Sequence, residues 1–213
     1  MRFADRADAG RRLAGVVRPR IEGPAVVLAI PRGGVIVGAE VARALGAPLE
    51  VVVPRKLGAP GNPELGIGAV APGVRFVDPW TLSRLRVPDG YLEREVAAQE
   101  AEIARREEAY RRGRPRVELE GRVAIVVDDG IATGATAIAS IRWARASRAD
   151  RVVLAVPVAP RQSLGALERE ADAVIALATP EPFLAVGEWY ENFEQTTDDE
   201  VIAALGDAAG HAA

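Results

Sequence analysis

Residues 125–136 read Ile-Val-Val-Asp-Asp-Gly-Ile-Ala-Thr-Gly-Ala-Thr. Three β-branched apolar residues run directly into two carboxylates, Asp128 and Asp129, and then into a loop of small residues and threonines. The apolar run predicts a buried strand over 123–129. The residues after the loop predict a helix from about Thr136 to Ala146. A strand that ends in paired acids and feeds a helix through a small-residue turn belongs to a ligand-binding βα unit rather than to a plain core connection.

The same alternation extends to both sides. Apolar strands are predicted at 26–30, 49–54, 152–159 and 173–178, and helices at 3–17, 35–45 and 161–170. Gly46 stops the second helix. Strands and helices in alternation indicate parallel βαβ units with both sheet faces covered. Such folds bind ligands beyond the carboxyl ends of their strands, close to a switch in strand order. Chemistry is therefore expected just after Ile30, Val53, Val127 and Val158.

Between these units, the Gly- and Pro-rich segment 57–66 is read as a long loop, functional or mobile. Short strands are predicted at 67–70 and 74–77, joined by Ala71-Pro72-Gly73. Residues 89–112 form the clearest helix, with Leu92, Val96, Ile103 and Tyr110 on one face. Glu102/Arg106, Glu107/Arg111 and Glu108/Arg112 are favourable pairs on its charged, solvated side. This helix is expected to pack on the sheet or on a second subunit, so a homodimer stays open. An irregular aromatic stretch over 180–193 precedes a last helix at about 198–205.

The 213 residues suit one domain: a core at about 24–180, a helical insertion at about 79–116 and a C-terminal hood at about 180–205. With 30 acidic and 27 basic side chains the net charge is −3, which does not fit a general nucleic-acid binder. Cysteine is absent, so disulfides and thiolate metal sites are excluded. The charged N-terminus is unlike a signal peptide, and no apolar run reaches the ~18 residues of a membrane span. A cytoplasmic location is expected. Lys56 is the only lysine among the 27 basic residues. A position that keeps lysine against such a bias is a candidate for a compact ammonium.

The chemistry of 128–136 follows from its residue types. Neighbouring carboxylates resist ionisation unless a cation or hydrogen-bond donors compensate, as ribose hydroxyls or a divalent metal would. The loop Gly130, Ile131, Ala132, Thr133, Gly134, Ala135 and Thr136 lets backbone N–H groups converge at a helix N-terminus, which favours an anion. Thr133 and Thr136 add hydroxyl donors. Acids for a sugar beside a turn for a phosphate describe a ribose 5-phosphate cradle.

That run resembles the signature of the type I phosphoribosyltransferases: apolar residues, two acids, three variable positions, then Thr-Gly-x-Thr. Every position of the signature is filled here. The resemblance covers about 24–180 and implies a central parallel sheet flanked by helices, with an inserted long helix and a small C-terminal hood. It implies a Mg2+-dependent pentosyltransferase moving ribose 5-phosphate from phosphoribosyl pyrophosphate to a nucleobase or similar nitrogen, releasing pyrophosphate. Asp128 and Asp129 would hold the ribose and a metal. Arg32, Gly33 and Gly34, in the loop after the first strand, would hold pyrophosphate. Lys56, at the mobile loop after the second strand, would add a point charge, and Glu64 is a candidate loop acid. Residues 56–70 and 189–201 also resemble a branch of the family with no assigned acceptor.

Acceptor identity is the least legible property. In enzymes acting on 6-oxopurines an acid commonly stands where Ala132 stands, which argues against that group. The Ile-Ala-Thr-Gly run resembles adenine enzymes, and pyrimidines stay open. Phe183, Trp189, Tyr190 and Phe193 are candidates to meet a base, Trp189 foremost, or else to cover a sheet edge or dimer contact. His211, the only histidine, falls in a small-residue tail expected to be disordered and not catalytic. Two other classes compete: a non-catalytic sensor of phosphoribosyl pyrophosphate or a nucleotide, and a metal-dependent phosphohydrolase, for which the chain lacks histidines.

Overall fold

Five short apolar segments find parallel partners and form the central sheet: β1 (Ala25–Ala29), β2 (Leu49–Val51), β6 (Val123–Val127), β7 (Arg151–Val158) and β8 (Ala173–Ala178), in the order β2-β1-β6-β7-β8. The computed structural model describes residues 1–77, 79–85 and 87–211, the side chains of 64, 79 and 209–211 excepted. Every pairing in this sheet is parallel. The chain moves outward from β1 to β2 and later returns to the other side of β1 as β6. Strand order therefore switches between β1 and β6. Their register, Leu28 opposite Val126 and Ala29 opposite Val127, aligns the two carboxyl tips.

Both faces are covered, as near-continuous apolar strands require. Val27, Ile125 and Val153 pack with Leu13 and Val17 of α1 (Arg6–Val17), Val37 and Val41 of α2 (Gly33–Leu45) and Val201 of α7 (Asp198–His211). On the other face, Val26, Leu28, Val126 and Leu154 pack with Ile138 and Ile141 of α5 (Ala135–Ala146). Alternate residues of one strand thus enter different clusters. The α/β reading with a central parallel sheet is correct. Among the described residues no helix is long and apolar enough to cross a membrane.

The segment 57–66 is not a long loop. It belongs to an antiparallel hairpin, β3 (Arg55–Ala59) and β4 (Asn62–Ala71), joined by β5 (Val74–Val77) in a second, three-stranded sheet. Its glycines and prolines are absorbed at the hairpin's irregular end, where the register shifts around Gly58. A Cβ on Gly58 would stand 2.8 Å from Pro63 Cα, so the two breakers fit each other. Pairing and burial of Leu57, Ile67 and Val70 override local composition.

The remaining helices are α3 (Pro79–Leu85), α4 (Tyr91–Arg111) and α6 (Arg161–Glu168). The α4 helix lies in the same cluster as the hairpin, through Val96, Ile103 and Tyr110, so it packs within its own chain. Its charged side is not wholly solvated. Glu107 is buried and pairs with Arg111 at 3.3 Å and with Arg116, while Arg111 also reaches the buried Glu50 at 3.3 Å. Several expected strands and helices change length. β2 ends at Val51, where the chain leaves for the second sheet; β6 ends at Val127; α1 starts at Arg6 and α6 ends at Glu168; and α7 continues to His211, so the tail expected to be disordered has a helical backbone up to that residue.

Candidate functional site

Asp128 and Asp129 follow β6 immediately, and Pro31-Arg32-Gly33-Gly34 follows β1. The hydrogen bond from Ile30 N–H to Val127 O, 2.8 Å, carries strand pairing up to both loops. Helix α2 begins at Gly33, and the Pro31–Arg32 peptide is cis. The loop is pressed onto the acids. An ideal Cβ on Gly33 would lie 1.9 Å from Asp129 Oδ2 and 2.5 Å from Arg6 Nε; one on Gly34 would lie 2.9 Å from Asp128 Cα. Pyrophosphate access was the reason expected for these glycines. Their first requirement is room for the strand tip.

Asp129 is held from three directions. Its N–H donates to Asp128 Oδ1 at 2.8 Å, its carbonyl accepts from Tyr190 Oη at 2.5 Å, and its Oδ2 accepts from Arg6 Nε at 2.7 Å. Arg6 and Asp129 are 12% and 16% exposed, so their pairing is weakly screened. Burial, reinforced by the neighbouring Asp129 charge, pushes the Asp128 carboxyl well above the usual range. Burial also raises Asp129, with Arg6 pulling the other way. Two adjacent acids with one cation between them leave a demand for further positive charge or hydroxyl donors.

The loop after them is fixed at its ends and open between. Gly130 is packed so closely that a Cβ would stand 2.5 Å from Val186 and 2.9 Å from Val158. Ile131 N–H donates to Val158 O at 2.9 Å. Gly134 takes φ +87° at the start of α5, a conformation L side chains rarely adopt. Among the described residues none accepts a hydrogen bond from the backbone N–H groups of Ala132, Thr133, Gly134, Ala135 or Thr136. Thr133 is exposed and Thr136 half-buried. These amides and hydroxyls form the open start of a helix, the arrangement that holds phosphate.

The phosphoribosyl transferase domain model matches residues 5–178, which include both loops and Arg6. The chain belongs to the phosphoribosyltransferase family. A relative in Mycobacterium tuberculosis strain H37Rv, named "Putative phosphoribosyl transferase", is 49% identical over 204 residues. That alignment takes in 95% of this chain and 46% of the relative, so the chain spans about half the relative's length. The crystal structure of TT1426 from Thermus thermophilus superposes with a TM-score of 0.83 at 45% identity, covering 97% of this chain and 99% of that one. A purine phosphoribosyltransferase from Pyrococcus horikoshii, 16% identical, shares the fold at a TM-score of 0.50 over 90% of this chain and 93% of its own.

The other expected site residues of this phosphoribosyltransferase chain are placed less uniformly. Arg32, the residue preceding α2, leans toward α7, with Nη1 3.9 Å from Asp198 Oδ1. Tyr110 donates to that same oxygen at 2.7 Å. Lys56 is exposed on β3 and not on a loop, opposite Ala69. No hydrogen bond or ion pair among the described residues joins it to Arg32, Asp128 or Asp129. The Glu64 side chain lies outside the described residues. Trp189 is half-buried against Phe3 and Tyr190, and its carbonyl accepts from Phe3 N–H at 2.8 Å. Its Nε1 is buried without a partner. Tyr190 is fully packed, 5.4 Å from the Phe3 ring and 4.9 Å from Phe193. The expected aromatic stretch is thus largely a brace that packs residues 189–193 against Phe3 and, through Tyr190, holds Asp129.

Arg6 was missed by sequence reading, and no local signal marks it: it is an ordinary arginine on an amphipathic helix, 123 positions from Asp129. Magnesium, the cofactor the family generally uses, can be tested against the donor set. Among the described residues no group of three or more acids or histidines could cage a metal. Two vicinal carboxylates do fit the other mode, in which Mg2+ takes one or two protein oxygens and completes its shell on substrate phosphates. Asp128 is the better placed of the two, since Arg6 already holds Asp129.

Proposed function

We propose that this chain transfers the ribose 5-phosphate of phosphoribosyl pyrophosphate to a nitrogen of a nucleobase or similar acceptor, releasing pyrophosphate. One observation carries the reading: the N-terminus of α2 packs directly on a pair of carboxylates, and the open N-terminus of α5 follows the same pair six positions later in the chain. A ligand with an anion at each end and hydroxyls between matches that order of charges.

Each role follows from position. The open amides at 132–136, with Thr133 and Thr136, bind the 5-phosphate. Asp128 and Asp129 accept hydrogen bonds from the ribose hydroxyls and favour positive charge developing on the ring. The first turn of α2, with Gly33 and Gly34, receives the diphosphate. Arg32 swings from Asp198 to clamp it, an exposed 3.9 Å contact being weak. Lys56, just beyond the carboxyl end of β2, contributes a point charge. Mg2+, carried on substrate oxygens and met by Asp128, would supply further neutralisation of the leaving charge. The anomeric carbon–oxygen bond breaks, a carbon–nitrogen bond forms, and the acceptor's nitrogen proton is released.

A panel of nucleobases and small amines with phosphoribosyl pyrophosphate and Mg2+, read as pyrophosphate release, tests this. Release that depends on one acceptor is expected and names it. Tight binding of phosphoribosyl pyrophosphate with no release for any acceptor would replace the transferase by a sensor. No binding at all would reject both.

A further inference from the structure

A transferase of this kind needs Asp129 to meet a ribose hydroxyl, yet Asp129 is already engaged. Its N–H, its carbonyl and Oδ2 all have partners, in Asp128, Tyr190 and Arg6. Among the described residues no N–H group donates to Oδ1, and the Asp128 carboxyl lies within hydrogen-bonding reach of the Asp129 carboxyl. Oδ1 is the oxygen that Arg6 leaves to a ligand hydroxyl.

Arg6 is itself immobilised. Its Nη1 donates to the Glu194 carbonyl at 2.7 Å, and its guanidinium lies 4.0 Å from the centre of the Phe193 ring. It opens α1, so its backbone is set by that helix, whose preceding Asp5 accepts from Asp8 N–H at 2.7 Å. A guanidinium fixed on three sides holds a carboxylate in orientation as well as in charge, which an ammonium would not do. The same Oδ2 and Arg6 Nε both border the space that the missing Cβ of Gly33 leaves open, so the contact between them is seated against the loop after β1.

The structure assigns Arg6 a positioning role: by occupying Oδ2 it keeps the Asp129 carboxylate turned so that Oδ1 faces the sugar hydroxyls. This deepens the transferase reading and rests on it. The role is indirect, since Arg6 touches the acid and not the ligand. It also makes the site depend on two segments far from it in sequence, because α1 supplies Arg6 while residues 190–194 hold Arg6 and Asp129 from behind.

The test titrates ribose 5-phosphate and inorganic pyrophosphate separately into wild type, Arg6→Ala and Arg6→Lys by calorimetry. Arg6→Ala should weaken ribose 5-phosphate about tenfold or more and leave pyrophosphate within about twofold, the loss of a charge-assisted hold on one acceptor. Arg6→Lys, with charge but no fork, should fall between. Equal weakening of both ligands would mean a general structural role, and no weakening of either would mean none; each overturns the assignment. Should Arg6→Ala fail to fold, Arg6→Lys decides: reduced ribose 5-phosphate affinity at wild-type pyrophosphate affinity supports the role, and wild-type affinity for both overturns it. Wild-type protein that binds neither ligand would overturn the transferase reading itself.

Discussion

Asp129 Oδ2 occupies the space that the side chain of any residue but glycine would need at position 33, 1.9 Å from the ideal Cβ. The loop that is expected to receive pyrophosphate and the acid expected to hold ribose are therefore one packed unit. A side chain added at position 33 would displace the acid.

Gly33→Ala should accordingly be harmful although alanine is the better helix former. Overpacking typically costs about 1–3 kcal/mol, which exceeds the ~1 kcal/mol that alanine contributes in a helix. Gly15→Ala, at an exposed position of α1 with nothing within 4 Å of the new methyl, should instead stabilise by ~0.5–1 kcal/mol. Urea unfolding of the two variants should shift in opposite directions, and ribose 5-phosphate affinity should fall only in Gly33→Ala.

Tyr190→Phe keeps the ring against Phe3 and Phe193 but removes the donor to the Asp129 carbonyl. Leaving that partly buried carbonyl unpaired should cost about 1–3 kcal/mol. Chemical denaturation should show an earlier midpoint with an unchanged slope. A midpoint equal to wild type would mean that water replaces the hydroxyl without loss.

Thr133→Val retains shape and removes one hydroxyl from an exposed position. Stability should stay within ~0.5 kcal/mol. Ribose 5-phosphate binding should weaken about tenfold, the scale of a hydrogen bond to a charged group. Unchanged affinity would show that the amides at 132–136 suffice or that the phosphate binds elsewhere.

Tyr110 provides a pH signature away from the acid pair. Burial first, and then its hydrogen bond to Asp198, push its hydroxyl from 10.0 up to about 12. A raised value means that the folded state holds this proton more tightly than the unfolded state. Its contribution is intact below pH 10 and is lost as pH rises toward 12. Ultraviolet titration should show a late tyrosine ionisation that disappears in Tyr110→Phe, whose stability should decline less steeply across the same alkaline window.

How far the sequence is legible varies by element. The strand-and-helix alternation over 25–51 and 123–178 is carried by local periodicity, and the parallel sheet follows from it. The paired acids and the Thr-Gly-Ala-Thr turn are contiguous, so their joint placement at one strand tip needs no long-range information. Residues 57–66 misled because glycine and proline report local backbone preference, whereas β3–β4 pairing and burial under α4 decided their conformation. The aromatics of 183–193 were visible as a cluster, but an aromatic ring packs equally well on a base or on a neighbouring phenylalanine.

The sequence by itself determined the fold class and the chemistry of the strand tip, because both depend on residues close together in the chain. Only the tertiary structure decided that Arg6 grips Asp129, that Tyr190 holds its carbonyl, and that Gly33 is small for the acid's sake. Those contacts join residues with no periodic or sequential relation. Their partners are chosen by the strand order and by the docking of α1 and of residues 190–194, which no local preference encodes.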